Sequence, residues 1–154
     1  MKIYIMRHGQ AGMNAKSDEQ RPLTEQGIHE SVMMARWLSP QLETLDRVIH
    51  SPYLRARQTW QAICKELPVP THVEESPEIT PYGDPDSVAA YLEALASQGE
   101  NLLVVSHLPL VGYLVHQLCP GHDAPLFATS GLACIDYQDG KGQLSWLEGP
   151  HTIR

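Results

Sequence analysis

Arg7, His8 and Gly9 follow a short apolar run at residues 2–6 and could carry phosphoryl chemistry. A neutral imidazole nitrogen can attack phosphorus, and a covalent intermediate divides one difficult displacement into two easier steps. A phosphoryl group in transfer carries charge on three oxygens, so fixed cations beside it are the main catalytic resource. Arginine suits that role because its planar guanidinium binds two oxygens at once. His8 taken alone, however, is more often a structural histidine.

Arg55 lies in the segment SPYLRARQT at residues 51–59, which has the pattern of a helix start. Ser51 is the predicted N-cap and Pro52 the first helical residue. Arg55 would lie about one turn into this helix and lean back towards its N-terminus, where free N–H groups favour anions. Arg57 is two residues further along and faces elsewhere, so we predict a surface position for it.

His107 follows the apolar run at residues 102–105, which is typical of a central strand covered on both faces. A protonated His107 would donate a hydrogen bond to a phosphoryl oxygen, and a nearby phosphate favours that charged form. A structural role for His107 is equally compatible with its position alone.

The rest of the chain alternates strand and helix signals, which predicts an α/β sandwich with a mainly parallel sheet and helices on both faces. The buried helix faces are predicted from Ile28, Val32, Ala35 and Leu38, from Val88, Tyr91, Leu92 and Leu95, and from Val111, Leu114, Val115 and Leu118. Predicted strands cover residues 2–6, 47–50, 102–105, 132–137 and 143–147, the last two forming a hairpin around the turn residues 139–142. We expect residues 1–154 to form a single domain.

Three polar segments follow predicted strands: Arg7-His8, His50-Ser51 and Ser106-His107. In open parallel sheets, ligands bind beyond the carboxyl ends of the strands. The order of elements therefore predicts that these segments meet at one edge of the sheet.

The bulk composition limits the classes of partner. The 154 residues carry a formal net charge of −7, so the chain should repel nucleic acid and anionic lipid, and a phosphate site would be a local positive pocket. Three widely spaced cysteines fit reduced, mostly buried thiols better than a disulfide framework or a zinc site. The apolar runs are too short for a signal peptide or a membrane span, so we expect a cytoplasmic protein.

These segments together resemble the histidine phosphatase superfamily, in its phosphoglycerate-mutase-like branch. The resemblance rests on MRHG at residues 6–9, PLTEQG at 22–27, SPYLRARQT at 51–59 and VVSHLPLVG at 104–112. It implies that His8 is phosphorylated during turnover and that Arg7, Arg55 and His107 complete the phosphate pocket. No metal or other cofactor is expected, because arginines neutralise the charge.

Within this family the chain resembles the bacterial phosphohistidine phosphatases. This implies a phosphorylated histidine phosphotransfer domain of a signalling relay as the partner, and Arg21 as a further residue on the substrate side. A general acid remains open: Glu78 and Asp84 are candidates, although Asp84 also fits a helix N-cap. Two alternatives also remain open, namely a phosphatase of small phosphomonoesters such as sugar phosphates, and a non-catalytic module that binds phosphorylated partners.

Overall fold

The computed structural model describes residues 1–153 and contains one six-stranded sheet in the order β3-β2-β4-β1-β5-β6. The strands are β1 (Lys2–Arg7), β2 (Arg47–His50), β3 (His72–Glu75), β4 (Leu102–Ser106), β5 (Leu132–Gln138) and β6 (Lys141–Glu148). The α-helices are α1 (Glu25–Leu38), α2 (Leu54–Ile63), α3 (Pro85–Ser97) and α4 (Leu110–Leu118).

The four neighbouring strands β3, β2, β4 and β1 are parallel, and β5 and β6 add antiparallel pairs beside β1. β1 pairs in parallel with β4, β4 with β2, and β2 with β3. β5 runs antiparallel to β1 and forms a hairpin with β6. The hairpin turns at Asp139 and Gly140, both with positive φ, the backbone form that tight hairpin turns require. The mainly parallel sheet and the terminal hairpin are as predicted.

The two faces of the sheet each bury a separate core, as a three-layer sandwich requires. Side chains of a strand alternate between the faces. On β4, Leu102 and Val104 pack in the core that contains the buried residues of α3 and α4, whereas Leu103 and Val105 pack in the core that contains those of α1 and α2. β4 is buried along its whole length, which explains its unbroken apolar sequence.

Two residues of the predicted helix faces are exposed, so those assignments were wrong. Ile28 is exposed because α1 presents Gly27 and Ser31 to the protein interior instead. Tyr91 lies in the middle of α3 and is exposed, and its hydroxyl donates to Glu74 at 2.7 Å rather than entering the core.

The predicted start of α2 was also wrong, by two residues. Tyr53 is the N-cap, and it keeps an extended backbone with φ −62° and ψ 139°. The hydroxyl of Ser51 accepts the Tyr53 N–H and contacts His107, so this serine is engaged before the helix begins. Arg55 is consequently the second residue of α2.

None of the helices within residues 1–153 has both the length and the apolar character that crossing a membrane requires. Cys64, Cys119 and Cys134 are free thiols, and the last two are buried.

Candidate active site

The polar segments after β1, β2 and β4 meet at one edge of the sheet, as predicted. Arg7 is paired with Ser106 in the β1–β4 ladder, and the His8 N–H continues that ladder to the Ser106 carbonyl at 3.0 Å. The Ser51 N–H donates to Val105 at the same distance. The carboxyl ends of three parallel strands thus bring Arg7, His8, Ser51 and His107 together.

His8 is buried, with 7% of its surface exposed, and its contacts assign one neutral tautomer. Nδ1 lies 2.7 Å from the Gly9 carbonyl oxygen, which can only accept, so Nδ1 carries the hydrogen. Nε2 lies 3.2 Å from Nε of Arg55, which can only donate, so Nε2 carries the lone pair. Burial, helped by the nearby guanidinium groups, lowers the pKa of His8 to about 4. At neutral pH His8 therefore presents an unprotonated nitrogen, the form that can attack an electrophile.

Arg7 is held by a hydrogen bond from one terminal guanidinium nitrogen, and its Nε is a donor without a partner. Its Nη1 donates to the Phe127 carbonyl at 2.9 Å. Its Nε is buried and has no hydrogen-bond partner. A buried donor without a partner is costly, so this N–H is available to an incoming acceptor such as an oxyanion.

Arg55 is held in place by Asp18 of the loop between β1 and α1. Its Nη1 donates to the Asp18 carbonyl at 2.6 Å and its Nη2 to the Asp18 carboxylate at 3.2 Å. The guanidinium also lies 5.0 Å from the ring centroid of Tyr53, a cation–π arrangement. Together with the bond to His8, all three of its nitrogens have partners. These bonds use three of the five N–H groups of the guanidinium, so an oxyanion can bind the other two or displace a present partner.

His107 stacks at an angle beside His8, with 5.0 Å between the ring centroids. Its Nε2 lies 2.7 Å from the Ser51 hydroxyl, and its buried Nδ1 has no partner. Burial and the neighbouring His8 and Arg55 lower the pKa of His107 to about 2. His107 is therefore neutral at neutral pH in this structure, and a charged imidazole beside a bound phosphate stays a prediction. A neutral ring still donates one hydrogen bond, from Nδ1 when the serine hydroxyl donates to Nε2.

These side chains line an open cleft of about 360 Å³, together with Arg21 and Asp18. Arg21 donates from Nε to the Gly12 carbonyl and from Nη1 to the Asp18 carboxylate, both at 3.0 Å. The bonds from Arg21 and Arg55 lower the pKa of Asp18, so this carboxylate is ionised. Three guanidinium groups and one carboxylate line the cleft, and two of the three, those of Arg21 and Arg55, pair with that carboxylate. The cleft is therefore positive in a chain of net charge −7.

Neither carboxylate that the sequence suggested as an acid lies in this cleft. Asp84 caps α3 through the Asp86 N–H and the Ser87 hydroxyl, and its pKa is lowered. Glu78 is exposed in a neighbouring turn. The acidic residue that does line the cleft is Asp18, which sequence reasoning did not single out. Arg57 lies at the surface and pairs with Glu75, as predicted.

Sequence reasoning also missed the residues that support His8. The Thr59 hydroxyl accepts the Gly9 N–H at 3.0 Å, and the Ser130 N–H donates to the His8 carbonyl at 3.0 Å. Gly27 approaches the same turn so closely that a Cβ there would lie 2.9 Å from Gln10 N and nearer still to its carbonyl. Thr59 and Gly27 belong to the quoted motifs, so their positions carried a signal, whereas Ser130 carried none.

The two buried imidazoles should make the fold sensitive to mild acid. An unfolded histidine has a pKa near 6.5, whereas in the folded protein the pKa is about 4 for His8 and about 2 for His107. Between pH 6.5 and these lower values the unfolded state therefore binds more protons than the folded state. We expect the free energy of unfolding to be highest above pH 6.5 and to fall as the pH is lowered towards 4. Each imidazole should contribute up to about 1.4 kcal/mol per pH unit. Urea unfolding between pH 7 and 4.5 in phosphate-free buffer measures this.

His8→Asn should reduce that pH dependence, whereas His72→Asn, on exposed β3, should leave it unchanged. The assignment of His8 as a buried neutral imidazole would be contradicted by equal slopes in the two variants.

Comparison with known proteins gives a consistent set of matches. The family model of the histidine phosphatase superfamily (branch 1) matches residues 3–79. The chain is 46% identical to phosphohistidine phosphatase SixA of Escherichia coli strain K12, over 100% of this chain and 97% of that one. It is 37% identical to the SixA homolog of Haemophilus influenzae, over 94% and 93% of the two chains. The solved structure of the protein histidine phosphatase SixA complexed with tungstate superimposes with a TM-score of 0.95, at 46% identity and with both chains fully covered.

Proposed function

We propose that this chain, which belongs to the histidine phosphatase superfamily, removes phosphate from phosphorylated histidine in a protein, through a phosphorylated His8. One observation carries the proposal. His8 lines the cleft with an unprotonated Nε2, and two buried nitrogens of other cleft residues, Nε of Arg7 and Nδ1 of His107, have no hydrogen-bond partner and are available to an oxyanion. The E. coli relative named phosphohistidine phosphatase, and the tungstate in the SixA structure, add support, since tungstate is a tetrahedral oxyanion like phosphate.

In the first step, Nε2 of His8 attacks phosphorus and the P–N bond of the substrate breaks. The bonding electrons return to the substrate imidazole, which leaves as a neutral ring because its other nitrogen takes a proton from solvent. Arg7, Arg55 and His107 bind the three phosphoryl oxygens, where charge is concentrated in the transition state. The Arg55 Nε–H, released from His8, is free to bond one of these oxygens.

In the second step, water attacks phosphorus, the P–Nε2 bond breaks, and inorganic phosphate and neutral His8 are regenerated. The hydrogen bond from Nδ1 to Gly9 keeps the ring in one orientation through both steps. Both displacements use the same nitrogen, which gains and loses the phosphoryl group.

The state of Asp18 favours a phosphohistidine over a phosphomonoester. An alkoxide leaving group needs a proton from an acid, whereas an imidazole leaves without strong acid assistance. The carboxylate in this cleft is ionised by two arginines and cannot supply a proton readily. The cleft therefore fits a substrate with a P–N bond.

The finer assignments belong to the proposal as well. We place Arg21 on the substrate side of the cleft, take the partner to be a histidine phosphotransfer domain of a signalling relay, and expect the reaction to occur in the cytoplasm. That residues 1–154 form one domain also stays a prediction, which is supported by β1 pairing with β5 from the other end of the chain.

A substrate panel tests the function. The chain is incubated with a histidine-phosphorylated transfer domain, with phosphoserine and with sugar phosphates, and phosphate release is followed. We expect kcat/KM for the phosphorylated domain to exceed that for the monoesters by at least about 100-fold. Comparable turnover of sugar phosphates would favour the phosphomonoesterase alternative, and a stable complex without turnover would favour a binding module.

Asp18 competes with phosphate for the arginines, so its neutralisation should strengthen oxyanion binding. Asp18→Asn removes the charge that pairs with Arg21 and Arg55, and partly exposed pairs of this kind are worth up to about 1 kcal/mol. We expect the inhibition constant of inorganic phosphate to fall about two- to fivefold.

Glu19→Gln is the matched control for this variant, since it makes the same charge change one residue away in the same turn. Its effect should be smaller. Weaker phosphate binding by Asp18→Asn would mean that the carboxylate holds Arg55 in its binding position rather than competing for it.

A further inference from the structure

Four large apolar side chains are more than three-quarters exposed in the described chain. Isolated exposed apolar residues are normal, but a group of them around one opening marks an interaction surface. These four are Met13 at 79%, Tyr82 at 86%, Leu126 at 85% and Val69 at 91%. The first three belong to segments that form the walls of the cleft.

Each of the three belongs to a segment that contacts the cleft directly. Tyr82 lies at the cleft mouth. Met13 follows Gly12, whose carbonyl accepts from Arg21. Leu126 precedes Phe127, whose carbonyl anchors Arg7. Three segments that are distant in sequence thus carry one exposed apolar side chain each, in the cleft lining at Tyr82 and directly beside residues that hold cleft arginines at Met13 and Leu126. We call Met13, Tyr82 and Leu126 the apolar rim.

The depth of the site explains why the rim matters. His8 is 7% exposed, so the reacting phosphorus must descend into the cleft. A phosphorylated side chain of a folded domain reaches that depth only if the surface around it comes down onto the cleft mouth. A small phosphorylated molecule, by contrast, fits within the cleft of about 360 Å³ and leaves the rim in water.

We propose that the apolar rim is the docking surface for a folded protein domain that carries the phosphohistidine on an apolar patch. This inference rests on the proposed function and adds the part of the surface that selects the partner. Docking would remove these side chains from water, which favours the complex because apolar surface leaves the solvent. Aromatic residues and methionine are enriched in protein–protein interfaces, which fits Tyr82 and Met13.

The test separates docking from chemistry by comparing two substrates. The double variant Met13→Ser/Leu126→Ser changes rim residues outside the catalytic groups, and the triple variant adds Tyr82→Ser. Steady-state kinetics are measured with a histidine-phosphorylated transfer domain and with phosphoimidazole, which has the same P–N bond and no protein surface. Val69→Ser is the matched control, because Val69 is also exposed but precedes the amino end of β3, whereas the cleft lies at the carboxyl ends of the parallel strands.

We expect KM for the phosphorylated domain to rise at least about fivefold in the double variant and more in the triple variant. Turnover of phosphoimidazole by the double variant, and both activities of Val69→Ser, should stay within twofold of the wild type. An unchanged KM for the domain in the triple variant would overturn the docking surface while leaving the proposed function intact. A wild type that is inactive on both phosphohistidine substrates would instead refute the proposed function, and the docking inference with it.

Discussion

His8→Ala is expected to lower phosphate release by at least about 10³-fold, because the variant lacks the nitrogen that accepts the phosphoryl group. Water would then have to attack the substrate directly, and no other imidazole can take over. The ring of His107 is a neighbour, but its Nε2 is bound to Ser51. With a radiolabelled phosphohistidine donor and an alkaline quench, the wild type should carry an acid-labile label and the variant none.

Two measurements make the result specific. His72→Ala, an exposed histidine of β3, should keep full activity and the label. His8→Ala itself should still bind tungstate, since the guanidinium groups remain. A variant that lacks the imidazole and still turns over at a rate near that of the wild type would exclude the covalent route.

Arg55→Lys is expected to reduce kcat by about 10²- to 10³-fold although the charge is kept. A lysine ammonium cannot reproduce the planar set of donors that the guanidinium presents from the first turn of α2. Its single nitrogen also cannot replace the three separate nitrogens from which Arg55 bonds to His8 Nε2 and to the carbonyl and carboxylate of Asp18. Single-turnover kinetics report the chemical step separately from product release.

Arg57→Lys provides the control on the same helix. Arg57 is two residues away, exposed and paired with Glu75, so its replacement should change kcat by less than about twofold. Equal effects of the two substitutions would show that general positive charge, rather than the geometry of Arg55, drives the reaction.

The sequence was sufficient to predict the arrangement of Arg7, His8 and His107 at one sheet edge. Each follows a strand whose apolar pattern is unambiguous, and parallel strands must end on the same side. β4 is the clearest case, since its unbroken run of apolar residues is typical of a central strand and all of them are buried. The site therefore followed from topology more than from any single residue.

The start of α2 could not be predicted because Ser51 has a tertiary partner. Ser-Pro is a strong local signal for a helix start, yet the serine hydroxyl contacts His107, which lies 56 residues away in the chain. A distant contact of this kind outweighs a preference of about 1 kcal/mol. Asp18 was missed for a similar reason, since its role depends on Arg55, a residue 37 positions further along.

The carboxylate that bridges Arg21 and Arg55 also bears on how the empty site returns to its starting state. When hydrolysis is complete, inorganic phosphate occupies the guanidinium groups and must depart before another turnover. Asp18 is tethered beside them at high local concentration and regains its contacts as the product leaves, which favours release. A protein substrate makes further contacts with the enzyme, and these offset the free-energy cost of displacing the Asp18 carboxylate. Free phosphate makes no such further contacts. The bridge thus limits product inhibition in a phosphate-rich medium.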